Sequence, residues 1–86
     1  MPRISQYYGI AIYMYYQDHA PPHFHAIYGE HEAVIGITKV KVLDGKLPRR
    51  ALKMVKTWAR LHRVELSENW YRAQSGQPLS PIDPLD

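Results

Sequence analysis

The stretch HFHAIYGEHEAVIGI, residues 23–37, decides how the rest of the chain is read. Its apolar residues alternate on both sides of Gly29-Glu30, as in strands whose successive side chains point to opposite faces. Glycine at the first of two loop positions supplies the positive φ that a tight hairpin needs. On that register Tyr28 pairs with His31. Phe24, Ala26, Tyr28, Ala33, Ile35 and Ile37 then share one face, the candidate core. His23, His25, Ile27, Glu32, Val34 and Gly36 share the other, which leaves the two histidines available for function. A loop one residue different would turn the second strand over and place its other face beside them.

Working upstream, Asp18 to Ala26 reads DHAPPHFHA, three histidines, a carboxylate and a proline pair before and into the strand. The prolines lack an N–H and restrict the residues before them, so Gln17 to Pro22 is a connection. Before it, YYGIAIYMYY (residues 7–16) has no charge and no proline and reads as one strand, apolar on both faces. Tyr8, Ile10, Ile12, Met14 and Tyr16 would lie on one side of it. Tyr7, Gly9, Ala11, Tyr13 and Tyr15 would lie on the other, where tyrosines around a small middle suit close packing or a phenol-lined groove.

Downstream, Lys39 to Leu43 alternates Lys and Val before Asp44-Gly45, a short strand with Val40 and Val42 inward, lysines outward, and a turn after it. Pro48 suits a helix start, where its missing N–H needs no partner. Leu52, Val55, Ala59, His62 and Leu66 recur at steps of three and four, with Met54, Trp58 and Leu61 widening the stripe that faces the core. Unbroken to Ser75 such a helix would measure about 42 Å, against roughly 30 Å for a domain of this size. A break is expected between Val64 and Ser67. The tail from Gln77 interleaves Pro78, Pro81 and Pro84 with Leu79, Ile82 and Leu85, an extended segment with one apolar edge that docks on its own domain or on a partner.

The expected architecture is therefore a single α+β domain over residues 1–86. It has an antiparallel meander of three to four strands (about 4–43), then one long kinked helix or two helices (about 48–75), then the tail 77–86. At 86 residues the chain supports one core of modest stability. It contains no cysteine, no basic-then-apolar leader and no apolar run long enough to span a bilayer. Those features lead to the expectation of a cytoplasmic protein without a membrane segment.

Charge is unevenly placed. Of the eleven Lys and Arg, all but Arg3 and Arg72 fall between Lys39 and Arg63, with Asp44 the sole acid among them. On a helix Arg49, Lys53, Lys56, Arg60 and Arg63 form one cationic ridge, with Arg50 beside it. A merely solvated face mixes signs, so a run of one sign implies an anionic partner, either an acidic protein or RNA. A homo-oligomer is left open.

The histidines allow three readings. An HxH pair on a strand can reach one ion, so His23 and His25 with His19, or with Asp18, are candidate ligands for a divalent transition metal. Cysteine-rich structural-zinc spacings are missing. His23 and His25 could instead act as a general acid–base pair, as metal-independent RNA cleavage requires, which would make the protein a histidine-based or metal-dependent nuclease. In the third reading they bond backbone or tyrosine groups and only shape the turn. His62, inside the apolar stripe, reads as a core histidine with its polar atoms satisfied.

The chain also resembles the small bacterial proteins grouped as the domain of unknown function 4160 family. The likeness rests on MPRIS before an aromatic-rich strand, DHAPPHFHAIYGEHEA, GKLPRRAL opening the helix, and ENW followed by a GQPL tail. It implies a single-domain cytoplasmic protein, often encoded beside another small protein, in modules of the toxin–antitoxin kind. No catalytic residue and no activity come with it. The leading expectation is a component of such a module that binds an acidic partner or RNA through the basic helix, with the nuclease and a non-enzymatic metal-binding domain as alternatives.

Overall fold

The computed structural model describes residues 2–86. It is an α+β fold in which five antiparallel strands, β1 (Arg3–Tyr7), β2 (Ile10–Tyr13), β3 (His23–Tyr28), β4 (His31–Gly36) and β5 (Val42–Gly45), precede α1 (Arg49–Leu61) and α2 (Arg63–Gln74). Each strand pairs with its neighbours in sequence, so the sheet is the expected meander. Five strands replace the expected three to four.

The additional strand comes from YYGIAIYMYY, which is not one strand. Tyr8 and Gly9 take φ of 47° and 79°, and Tyr7 pairs with Ile10 across them. Two successive residues at positive φ are the mark of a type I′ hairpin turn. Tyrosine pays a steric penalty there, and its presence hides the turn from a reading by composition. The fold-back carries Tyr7 to the core face beside Ile10 and Ile12, where all three are buried.

The second hairpin has the register the sequence implies. Tyr28 lies opposite His31, and positive φ is confined to Gly29 at the first loop position. Phe24, Ala26, Ala33 and Ile35 are fully buried on the core face. The next strand begins later than expected, at Val42 rather than Lys39. Gly36 N–H donates to Lys41 O at 2.9 Å, and β5 pairs with β4 through a register shift at Val34/Ile35. Val40 and Val42 still pack on the core, and Lys39 and Lys41 stay exposed. Gly45, expected in a turn, ends the strand at φ 70°, where a Cβ would collide with the carbonyl of Glu32.

One helical face covers the sheet. Trp58 is fully buried, its ring 5.8 Å from Phe24 and 5.4 Å from Tyr7, and Ala51, Val55 and Ala59 complete the contact. Truncating a buried tryptophan of this kind costs about 3–5 kcal/mol. Leu61 falls off the stripe and is 70% exposed, contrary to the expectation that it packs. The helix breaks at His62 (φ −116°, ψ 28°), just before the expected Val64–Ser67 window. The molecule spans 33 Å along its longest axis, too short for one straight helix. After the break α2 buries Leu66, Asn69, Trp70 and Ala73.

The tail docks on its own domain. Buried Asn69 donates from Nδ2 to Ser80 O at 2.8 Å and accepts from Ser80 N–H at 2.9 Å. The Trp58 indole N–H donates to Asp83 O at 2.8 Å, and Ile82 N–H donates to Ile4 O at 2.8 Å. Ile82 is buried while Leu79 and Leu85 lean on the core. Replacing Asn69 with alanine removes both hydrogen bonds to the exposed Ser80 backbone, and a hydrogen bond of this kind contributes about 0.5–1.5 kcal/mol. Asn69→Ala should therefore lower the urea midpoint with an unchanged m-value, and a variant as stable as the parent would show that the asparagine does not hold the tail.

Candidate functional site: a histidine–aspartate cluster and a cationic helix

Register places His25 opposite Val34 on β4 and Tyr13 on β2, on the face of the sheet that α1 does not cover. His23, at the start of the same strand, shares that face. It is nevertheless buried, with a side chain only 3% exposed, because Trp70 of α2 closes over it at 5.2 Å between rings. The expectation that both histidines stand open on the non-core face thus holds for one edge of His25 and fails for His23. Tyr15 meets the His25 ring edge-on at 4.3 Å.

Asp18 arrives from the connection before β3. Gln17 N–H donates to Ala73 O at 3.1 Å, and Gln74 Nε2 donates to Asp18 O at 2.9 Å, so the end of α2 anchors this segment. The carboxylate is thereby aimed at the histidines. Its Oδ2 is 2.8 Å from His23 Nε2 and 3.5 Å from His25 Nε2. His23 Nδ1 lies 2.7 Å from Pro21 O, and His25 Nδ1 lies 3.1 Å from Glu32 Oε2. One oxygen therefore stands between two imidazoles whose far nitrogens are already engaged.

Burial alone would raise the Asp18 carboxyl, but the His19 backbone N–H and the His23 and His25 rings outweigh it, and its pKa falls below the ordinary carboxylate value. Asp18, His23 and His25 each present one ligand atom, all within 4.8 Å of one another.

His19 stands apart from this group. Its side chain is 85% exposed, with Nε2 3.7 Å from Asp18 Oδ1 and Nδ1 engaged with Ala20 O at 3.2 Å. Of the two candidates for a third position beside His23 and His25, the structure brings Asp18 into the cluster and leaves His19 outside it. Glu32, which sequence reasoning placed on the correct face without a role, braces His25. His62 is half-buried with Nδ1 2.6 Å from Glu65 Oε1, a satisfied histidine beside Trp58, as its place in the stripe implied.

The cationic residues lie elsewhere. Arg49, Arg50, Lys53, Arg60 and Arg63 are exposed and Lys56 is half-exposed on the outer side of the helical layer. Since Phe24 packs under Trp58 while His25 points to the opposite face, the sheet separates ridge from cluster. Between Arg49, Leu52, Lys53, Lys56, Thr57 and Arg60 runs a shallow depression of about 360 Å³. No helix among the described residues is long and apolar enough to cross a membrane.

The depressed Asp18 carboxyl has a definite consequence for stability. A group whose folded pKa lies below its unfolded value stabilises the fold above the unfolded pKa, and that contribution is lost as pH falls through the folded value. Asp18→Asn should be less stable than the parent at neutral pH, with the two denaturation midpoints converging as pH drops below about 4. A constant gap down through that range would mean that the carboxylate is not held in this way.

Among comparisons with known proteins, the family model described as "Domain of unknown function (DUF4160)" matches residues 9–71, well over half of the chain. No curated protein and no solved structure matches.

Proposed function

We propose that this chain, which belongs to the DUF4160 family, is one component of a two-protein module of the toxin–antitoxin kind and holds an acidic protein partner on the outer face of α1. One observation carries the reading. Every ion pair among the described residues joins a histidine to an acid, and none involves a lysine or an arginine. The cations of the ridge therefore have no counter-ion among the described residues.

Like charges at helical spacing repel and destabilise the helix that carries them. Such a face is relieved when an anionic surface meets it, and complementary charge also speeds encounter. An acidic protein fits better than RNA. Single-stranded RNA is held by cations interleaved with aromatic platforms, and the aromatic of this helix, Trp58, is fully buried. Along the ridge itself the neighbours are aliphatic, Leu52 within the depression and Leu61 and Val64 exposed next to Arg60 and Arg63, while the exposed Tyr8 and Tyr28 border only Arg50 at its N-terminal end. A partner with carboxylates around apolar anchors would match that pattern.

A nuclease that used the ridge to bind and the histidines to cleave would need one strand to reach both sides of the sheet. That separation favours the binding reading over the nuclease.

The product of a neighbouring gene that encodes a small acidic protein is the partner to test. Exposed charge pairs are worth up to about 1 kcal/mol each, so Lys53→Glu, Lys56→Glu and Arg60→Glu together should weaken the complex by about 100-fold. The parent complex should also loosen steeply with added salt. Fluorescence anisotropy with a single-stranded RNA should show weak binding in comparison. Unchanged affinity in the triple variant, or tight RNA binding that it abolishes, would refute the acidic-protein reading.

A further inference from the structure

The Asp18–His23–His25 cluster has more acceptors than protons to serve them. Pro21 O is a carbonyl and can only accept, so His23 Nδ1 carries a hydrogen. Glu32 is a carboxylate and accepts from His25 Nδ1 in the same way. With Nδ1–H fixed on both rings, each Nε2 either takes an added proton toward Asp18 or presents a lone pair. Both Nε2 atoms are aimed at Asp18 Oδ2, itself an acceptor. Three electron pairs thus converge where a cation belongs.

A proton on His23 Nε2 would satisfy the 2.8 Å contact with Asp18, but it would leave the other ring unserved. His25 Nε2 is buried, 3.5 Å from the same oxygen, and makes no hydrogen bond. A buried polar atom of this kind costs about 1–3 kcal/mol unless something binds it. One ion held between the three donors serves all of them together.

We propose that Asp18 Oδ2, His23 Nε2 and His25 Nε2 are the ligands of a single divalent first-row transition ion of the zinc class. Zinc–nitrogen and zinc–oxygen bonds of about 2.0–2.1 Å in a tetrahedron set donors roughly 3.3 Å apart. The two observed separations from Asp18, 2.8 and 3.5 Å, bracket that value, and all three ligand atoms lie within 4.8 Å of one another, so seating the ion draws the two imidazole nitrogens together around it. Two imidazoles with one carboxylate select this class over calcium or magnesium, which take oxygen ligands.

The outer bonds are of the type that metal-bound histidines make, one to a backbone carbonyl and one to a carboxylate, fixing the tautomer and the ring plane. Trp70 and Tyr15 hold the rings from the sides, and Gln74 holds the Asp18 backbone. Three protein ligands leave a fourth position free, as in zinc centres that take water or a small ligand. It opens on the side where Asp18 and His25 keep 18% and 14% of their side-chain surface.

The test uses the full chain stripped with a chelator and titrated with Zn²⁺ by calorimetry, with thermal denaturation alongside. The parent should take up one Zn²⁺ per chain and gain in Tm. Asp18→Asn and His25→Ala should each weaken uptake by more than about 100-fold and abolish the gain in Tm. Glu32→Gln changes an exposed residue that only braces His25, so it should fold normally and bind about tenfold more weakly. His19→Ala and the ridge variant Lys53→Glu/Lys56→Glu/Arg60→Glu should bind like the parent, which keeps this proposal separable from the partner reading. A parent chain that binds no Zn²⁺ at micromolar concentration overturns the proposal. So does uptake that survives Asp18→Asn and is lost in His19→Ala.

Discussion

The pairing of Tyr28 with His31 is the constraint on which the rest of this structure depends. Because side chains alternate across a sheet, a slip of one residue would exchange whole faces. Phe24, Ala26, Ala33 and Ile35 would leave the core, and Trp58 would lose the ring it rests on. The same slip would drive the strand's histidines and Glu32 under α1. Core and cluster are therefore two sides of one register, fixed by a glycine at the only loop position that needs positive φ.

The cluster then forms by long-range assembly. Strand β3 supplies two imidazoles already pointing the same way, and the connection before it supplies the carboxylate. The end of α2, more than fifty residues further along, anchors that connection through Ala73 and Gln74. Trp70 from the same helix removes His23 from water. A polar group buried in this way must be matched by partners, and both His23 ring nitrogens lie within hydrogen-bond distance of an oxygen, Pro21 O and Asp18 Oδ2. His25 is matched at one nitrogen only. That imbalance, and not the mere presence of histidines, gives the site its chemical direction.

Much of this was legible in the chain. The hairpin, its core face, the stripe on α1, the need for a break after it and the one-signed ridge all follow from periodicity, and periodicity is local. What escaped the sequence depends on contacts or on unusual backbone. Tyr8 occupies a turn position that composition assigns to Gly, Asn or Asp, so two strands read as one. The bulge opposite Val34 and Ile35 moved β5 toward Gly45. His19 looked equivalent to His23 and His25 because it is close in sequence, yet it lies on the connection with its ring in solvent. From sequence Asp18 is only an alternative to His19, because its central place is set by α2, which no local pattern connects to it. The docked tail was legible as an apolar edge, while its destination required Asn69 and Trp58 to be seen facing it.

The separation of ridge and cluster by the sheet has a consequence for how such a protein can vary. No residue is shared between the two surfaces, and the layer between them is packed with side chains that tolerate little change. Substitutions on the helix can change its charge while the imidazole side drifts or is preserved on its own schedule. Two lineages could keep the same fold and the same histidines with differently charged helices, or keep the charged helix and lose the histidines.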